Sequence, residues 1–213
     1  MSPIFQDHML VDPCLQAEIA RRCQDGHFPD EPKAVANDLG LIELPDGQHI
    51  RTWLCHAADA VLLDDLGQIL LITRLHDPGR GKRALPGGLL DRLPGGIETS
   101  RHAALREAME ETGISAEILT QAEVMQLGHR CHVRPFDIRQ AWNDLPGTPV
   151  RKHELFTVST LAFRVKLHGD LRYMPLRAGD DATSLNIVPA KQVTREELAV
   201  PDHLDMIRNA LHV

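Results

Sequence analysis

Glu98-Thr99-Ser100-Arg101-His102-Ala103-Ala104-Leu105-Arg106-Glu107-Ala108-Met109-Glu110-Glu111-Thr112-Gly113-Ile114 is the stretch on which the reading of this chain turns. Thr99 or Ser100 can cap a helix that starts here, and Gly113 is a natural stop after Thr112. Ala103, Leu105, Ala108 and Met109 supply its apolar faces. On that helix Glu107, Glu110 and Glu111 stand at i, i+3 and i+4, so three carboxylates crowd one side. Like charges at this spacing cost roughly a few tenths of a kcal/mol per pair. Two of them also fall in the last turn, where the helix dipole disfavours negative charge. A helix selected for stability alone would carry lysine or arginine there. Divalent cations reverse the balance, because clustered carboxylates are hard oxygen ligands for Mg²⁺ or Mn²⁺, which also take phosphate oxygens. Arg106 is placed to hold Glu98 or a neighbouring acid in position. A solvated acidic face would account for a bare Glu-x-x-Glu-Glu, but not for Glu98, the Arg-Glu pair and a glycine loop in register with it.

Upstream, Ala57–Leu63 and Gln68–Arg74 are apolar runs separated by Asp64-Asp65-Leu66-Gly67, a β-hairpin pattern. A loop rich in Gly, Pro and Arg covers 77–83 and leads into Ala84-Leu85-Pro86-Gly87-Gly88. Downstream, strand-like stretches recur at 116–127, 155–165 and 184–189, and a closing helix is expected over 202–211, with Leu204, Ile207 and Leu211 on one side. Towards the N-terminus, Leu15, Ile19 and Cys23 recur at helical spacing after an Asp-Pro start, so Pro13 to about Arg22 reads as a short amphipathic helix. Segments 26–33 and 45–47 are turn-rich, with a weak element between them. Residues 1–52 are therefore expected to form an N-terminal helical extension, and 53–213 the main domain. Strands mixed with a central and a terminal helix imply an α/β fold with a mixed sheet between helices.

The segment from Glu98 to Ile114 resembles the Nudix box, G-x5-E-x7-R-E-U-x-E-E-x-G-U with U aliphatic; Ala108 is a small residue at a U position. The family's spacing would put a glycine at position 92, where Arg92 stands. Gly88 is the nearest suitable glycine, with nine residues between it and Glu98 instead of five, so the loop carries a four-residue insertion around Asp91-Arg92-Leu93-Pro94. Leu-Pro-Gly-Gly occurs twice, at 85–88 and 93–96. The first is favoured for the site, because strand 68–74 and the Pro-Gly-Arg loop lead into it. The resemblance implies a Nudix-type α/β/α sandwich in which Glu107, Glu110, Glu111 and the Gly88 carbonyl hold Mg²⁺ or Mn²⁺. Glu98 and Arg106 join the three glutamates as catalytic candidates.

Three features resemble the ADP-ribose pyrophosphatase branch of the family: the run 57–74 with its following loop 76–82, the stretch Ala178-Gly179-Asp180-Asp181-Ala182, and a strand-loop-helix tail over 184–211. The implied reaction is ADP-ribose plus water giving AMP and ribose 5-phosphate. Arg74, Arg80, Lys82 and Arg83 are the nearest cations for the diphosphate, with solvated loop charges as the alternative. Asp180 and Asp181 are candidates for substrate contacts. Trp142 or Phe136 could stack on adenine or simply pack. The general base is open between Glu107 itself and Glu154, Asp180 or Asp181. Other Nudix substrates stay open: a nucleoside triphosphate, NADH or a dinucleoside polyphosphate. The zinc ribbon and S-Q-P-W-P-F-P motif of the NADH-specific group are absent from these residues. A non-catalytic ADP-ribose-binding sensor is a second alternative, weakened by the complete set of acids. A homodimer is an expectation of the resemblance.

Composition narrows the rest. A formal charge of −7 argues against a nucleic-acid partner, which needs a basic face, although a bound cation can still invert the local field for a phosphate substrate. No apolar run approaches the roughly 20 residues that span a membrane. The opening lacks a secretory pattern, so a cytoplasmic protein is expected. Cys14, Cys23, Cys55 and Cys131 are too dispersed for a zinc site or a disulfide scaffold and read as buried free thiols. His129-Arg130-Cys131-His132 could bind a metal, but reads better as a strand edge.

Overall fold

Apolar runs long enough to be covered on both faces decide where the central strands form. The computed structural model describes residues 5–6, 9–24, 32–76, 79–135, 154–179 and 181–213. The chain forms two units, Met1–His56 with Arg130–Ser159, and Ala57–His129 with Thr160–Val213.

In the first unit, strands β1 (Phe5–Gln6) and β2 (Met9–Leu10) pair antiparallel. Helix α1 (Pro13–Gln24) follows, slightly longer than its apolar spacing predicts. Asp12 starts it by accepting the Cys14 and Leu15 N–H groups at 3.0 and 2.9 Å. Ile19 and Cys23 face inward and pack with Leu10, Leu39, Ile42, Ile50, Leu54 and Leu155. The weak element is β3 (Ala36–Glu43), antiparallel to the first part of β4 (His49–Leu63). Their register shifts between Asp38 and Gly40, where Gly40 adopts φ +84°. Cys23 and Cys55 are buried as expected, whereas Cys14 is exposed, because it lies at the solvent side of the first turn of α1.

In the second unit β4 continues to Leu63 and is followed by β5 (Gln68–Arg74), β6 (Arg83–Ala84), β7 (Gly87–Leu89), β8 (Arg92–Leu93) and β9 (Gly96–Ile97). Then come α2 (Ser100–Thr112), α3 (Ala116–Thr120), β10 (Glu123–Pro135, counted in the first unit from Arg130), β11 (Leu155–Lys166, counted in the first unit to Ser159), β12 (Ala182–Pro189) and α4 (His203–Leu211). The sheet order is β10-β11-β4-β5-β12, with β6 on β5 and β7 on β4. Alternate residues serve opposite faces. Ala58, Ala60, Leu62 and Leu70 pack with Ala103, Ala104 and Ala108 of α2. Val61, Leu63, Ile69 and Leu71 pack with Leu204, Met206, Ile207 and Ala210 of α4. Both faces are covered, which is why these strands read as continuous apolar runs. The fold is α/β, a mixed sheet with helices on either side.

One expected strand is corrected. Residues Ala116–Thr120 form a helical turn, and the strand starts only at Glu123. Ile114, Ile118 and Leu119 pack on the α2 side of the core at helical rather than alternating spacing, and the Ser115 hydroxyl accepts the Ile118 N–H at 3.4 Å. The hairpin turn between β4 and β5 rests on Asp64. Its Oδ1 accepts the Leu66 and Gln68 N–H groups at 2.9 and 2.8 Å, and its Oδ2 accepts Leu171 N–H at 3.1 Å. Asp64 is buried, so removing the carboxylate strands three donors. Asp64→Ala is expected to lower stability by about 2–4 kcal/mol in urea unfolding.

Candidate metal and phosphate site

Helix α2 is capped as its sequence suggests. Thr99, rather than Ser100, is the N-cap, its hydroxyl accepting the His102 N–H at 3.2 Å. Gly113 closes the helix at φ +67° and donates its N–H to the Met109 carbonyl at 2.9 Å. Glu107 and Glu111 lie on the same buried face as Ala103, Ala104 and Ala108, while Glu110 is exposed. The small side chains let α2 approach the sheet closely at β7. There the Gly87 N–H donates to Glu111 Oε2 at 2.9 Å. A Cβ on Gly88 would fall 2.2 Å from Glu107 Oε1, and one on Gly87 would fall 2.1 Å from Asp59 Oδ1. These two glycines are required by close approach, not by an unusual φ.

The first Leu-Pro-Gly-Gly therefore lies against the acidic helix. The second occupies a separate hairpin, β8 with β9, paired Arg92 to Ile97 and Leu93 to Gly96, with Leu93 to Gly96 exposed. The four-residue insertion is absorbed by this hairpin, which leaves the contact between 87–88 and α2 in place.

Arg106 joins the acids. Its Nη2 donates to Glu98 Oε2 at 2.9 Å and to the Leu89 carbonyl at 3.0 Å, and its Nη1 donates to Glu107 Oε1 and Glu110 Oε2, both at 2.8 Å. Glu98 is almost fully buried and also meets His102 Nδ1 at 2.8 Å. Burial works to raise the Glu98 carboxyl, but the bonds from Arg106 and the Asp91 N–H outweigh it and hold the group below the usual glutamate range. Burial opposes the Arg106 charge, and Glu98, Glu107 and Glu110 together hold it firmly protonated. Glu111 moves the other way, pushed up to about 8, first by burial and then by the charges of Glu107 and Asp181; the Gly87 N–H and the Arg74 charge offset this in part.

Other candidates divide. Arg74 ends β5 close enough for its charge to act on Glu111. Arg83 is engaged by Glu197 at 3.1 Å, and Arg80 and Lys82 are exposed in the preceding turn. Asp181 is exposed, 3.5 Å from His76 Nε2, and acts on Glu111 through its charge. Glu154 belongs to the first unit, where it is buried and accepts the Trp53 Nε1–H at 2.7 Å. Trp142, Phe136 and Asp180 lie outside the described residues, as do the side chains of His129 to Cys131. Asp59 and His203, buried and 3.2 Å apart beside the glycine loop, were missed by sequence reasoning. The available signal was a lone acid inside Ala57-Ala58-Asp59-Ala60-Val61, which a covered strand tolerates only with a partner.

Among the described residues no three acidic, His or Cys side chains already converge as a metal cage. The donor chemistry nevertheless fits a hard divalent cation. Glu107 and Glu111 are buried carboxylates whose charges oppose each other, Gly88 brings its backbone against Glu107, and Glu110, exposed and held by Arg106, adds a third carboxylate on the same helix. A carboxyl that holds its proton more tightly folded than unfolded stabilises the fold below its ordinary value of 4.5 and loses that contribution as pH rises through about 8. In metal-free buffer, Tm by calorimetry is expected to fall between pH 5 and pH 9, and Glu111→Gln is expected to flatten that decline.

A model of the NUDIX domain matches residues 54–209. No curated protein matches the chain in sequence. Similar solved structures include the NUDIX domain of Shewanella oneidensis NrtR complexed with ADP ribose, 20% identical over 74% of this chain and 86% of that one, TM-score 0.49. A bifunctional NMN adenylyltransferase/ADP ribose pyrophosphatase from Francisella tularensis, complexed with AMP and a Mn ion, is 24% identical over 74% of this chain and 41% of that one, TM-score 0.43. A C. elegans Ap4A hydrolase in a binary complex is 17% identical over 74% of this chain and 95% of that one, TM-score 0.46. The domain match spans well over half of the chain and contains the whole carboxylate helix with its glycine loop, and on that ground the chain belongs to the Nudix hydrolase family.

Proposed function

We propose that Glu107, Glu110, Glu111 and the Gly88 carbonyl hold Mg²⁺ or Mn²⁺, and that the protein hydrolyses ADP-ribose to AMP and ribose 5-phosphate. Residues 53–213 carry this activity in our reading, with 1–52 as an extension. The observation that carries the substrate reading is the docking of Ala178-Gly179, with Asp181 following, on the end of the acidic helix. Arg177 N–H donates to the Thr112 carbonyl at 2.8 Å, and Gly179 N–H donates to the Glu111 carbonyl at 3.2 Å. A Cβ on Gly179 would stand 2.6 Å from the Glu110 carbonyl oxygen. The stretch that resembles the ADP-ribose branch thus caps the orphan carbonyls of α2 and brings the charge of Asp181 to bear on Glu111. As an isolated turn it would have no reason to require a glycine against that helix.

A bound divalent cation supplies charge neutralisation on the diphosphate and lowers the pKa of water. The chain's own residues then divide the remaining work. Arg106 orients Glu98, Glu107 and Glu110 through one guanidinium. Arg74 provides positive charge next to Glu111 for the phosphate oxygens. Asp181 serves as general base, since it is exposed and acts on Glu111, whereas Glu154 already gives one oxygen to Trp53. Water attacks one phosphorus, its proton passes to Asp181, and the bridging P–O bond breaks with its electron pair on the leaving phosphate.

With Mg²⁺ and separate samples of ADP-ribose, NADH, dinucleoside polyphosphates and nucleoside triphosphates, AMP is expected chiefly from ADP-ribose, followed by chromatography. Glu110→Gln combined with Glu111→Gln should lower that rate at least about 100-fold. Release mainly from another substrate overturns the substrate reading but keeps the hydrolase; ADP-ribose binding without turnover with either metal supports a sensor instead. Gly179→Ala should lower kcat about 10-fold or more while leaving unfolding two-state, because its Cβ pushes on the backbone that carries Glu110.

A further inference from the structure

Asp59 is an acid in the middle of a strand segment whose neighbours are all buried and apolar. Its Oδ2 lies 3.2 Å from His203 Nε2 at the start of α4, and both side chains are more than nine-tenths buried. The other ring nitrogen, Nδ1, accepts the Leu85 N–H at 3.1 Å. A nitrogen that accepts must be bare, so the ring hydrogen sits on Nε2 and points at Asp59. The carboxylate thereby selects the tautomer, and the tautomer selects the peptide.

That peptide lies in a gap. Ala84 pairs with Ile72 in one strand ladder and Gly87 pairs with Asp59 in another, leaving Leu85 and Pro86 between them. Pro86 is held by its carbonyl, which accepts the Ala60 N–H at 2.8 Å. Leu85 is buried and donates its N–H to His203. Immediately beyond, Gly87 N–H reaches Glu111 and Gly88 presses on Glu107. A buried hydrogen-bonded polar couple contributes little net stability over a well-packed apolar pair. Leucine or phenylalanine at 203 would keep an apolar side chain on the α4 side of the core, but would leave the Leu85 N–H without an acceptor and Asp59 without its donor.

We propose that His203, oriented by Asp59, is a positioning residue that fixes the Leu85–Gly88 peptide frame against Glu107 and Glu111, and so sets the metal affinity and the turnover number of the site. This rests on the reading that those glutamates hold the metal.

The test compares the full chain with His203→Leu, His203→Asn and His203→Gln. Asparagine can place an amide oxygen where Nδ1 stands and accept from Leu85; glutamine reaches only the Nε2 position, towards Asp59. Three quantities are read: Mn²⁺ affinity by electron paramagnetic resonance of the free ion, kcat and KM for the best substrate, and amide exchange of peptides covering 84–90 and 69–72. His203→Leu should weaken Mn²⁺ binding and lower kcat by about 10-fold or more, with KM little changed. Exchange over 84–90 should accelerate while 69–72 stays protected. His203→Asn should recover most of each loss, and His203→Gln should not. If asparagine and glutamine behave alike, or if stability falls while Mn²⁺ affinity and exchange over 84–90 stay as in the wild type, the proposal is wrong. A wild-type protein that binds no Mn²⁺ defeats the metal reading instead, and exchange over 84–90 still decides whether His203 positions the loop. Should the leucine variant not fold, the asparagine-glutamine comparison decides alone.

Discussion

Two glutamates facing inward from one helix, against a strand with no side chains to meet them, set the terms for the second unit. Glu107 and Glu111 can be buried only because Gly87 and Gly88 present bare backbone and because Ala103, Ala104 and Ala108 let the helix come close. Enlarging any of these would push α2 outward and return the carboxylates to water. Ala108 stands where the family pattern has an aliphatic residue and is fully buried in the core beneath α2.

Such an arrangement is electrostatically unfavourable by itself, and the surrounding groups answer it unequally. Arg106 satisfies Glu98, Glu107 and Glu110 at once, and so keeps Glu98 ionised despite burial. Glu111 receives one backbone N–H and the positive charge of Arg74, while Glu107 and Asp181 repel its ionised form. The carboxyl left short of compensation is the one beside both the glycine strand and the Ala178–Ala182 stretch. A desolvated acid with two acidic neighbours is where a cation gains most, and this places the proposed metal chemistry at the junction of three segments far apart in the chain.

The glycine strand is in turn held from its other side. The Asp59–His203–Leu85 chain and the Ala60–Pro86 bond fix the peptide that faces α2. Polar groups buried at this depth are tolerated when each has a partner, and here each bond leads to the next. The hairpin Arg92–Ile97 carries the extra residues without disturbing any of this, because it projects into solvent after the strand has made its contacts.

Local sequence determined a good deal of this protein. The caps and stop of α2, the hairpin at Asp64–Gly67, the terminal helix and the carboxylate spacing are all short-range patterns, governed by backbone hydrogen bonds and periodicity within a few residues. Residues 116–120 form a helical turn instead of the expected strand because a five-residue run with three apolar side chains serves either element until packing selects one. Only the tertiary structure decided which of two identical Leu-Pro-Gly-Gly stretches meets the acids, and that Glu154 is bound to Trp53 in the first unit while Asp181 acts on Glu111. Only it joined Asp59 to His203, residues separated by most of the domain. These outcomes depend on burial and on contacts between distant segments, and neither burial nor a partner across the chain is encoded in the spacing of neighbouring residues.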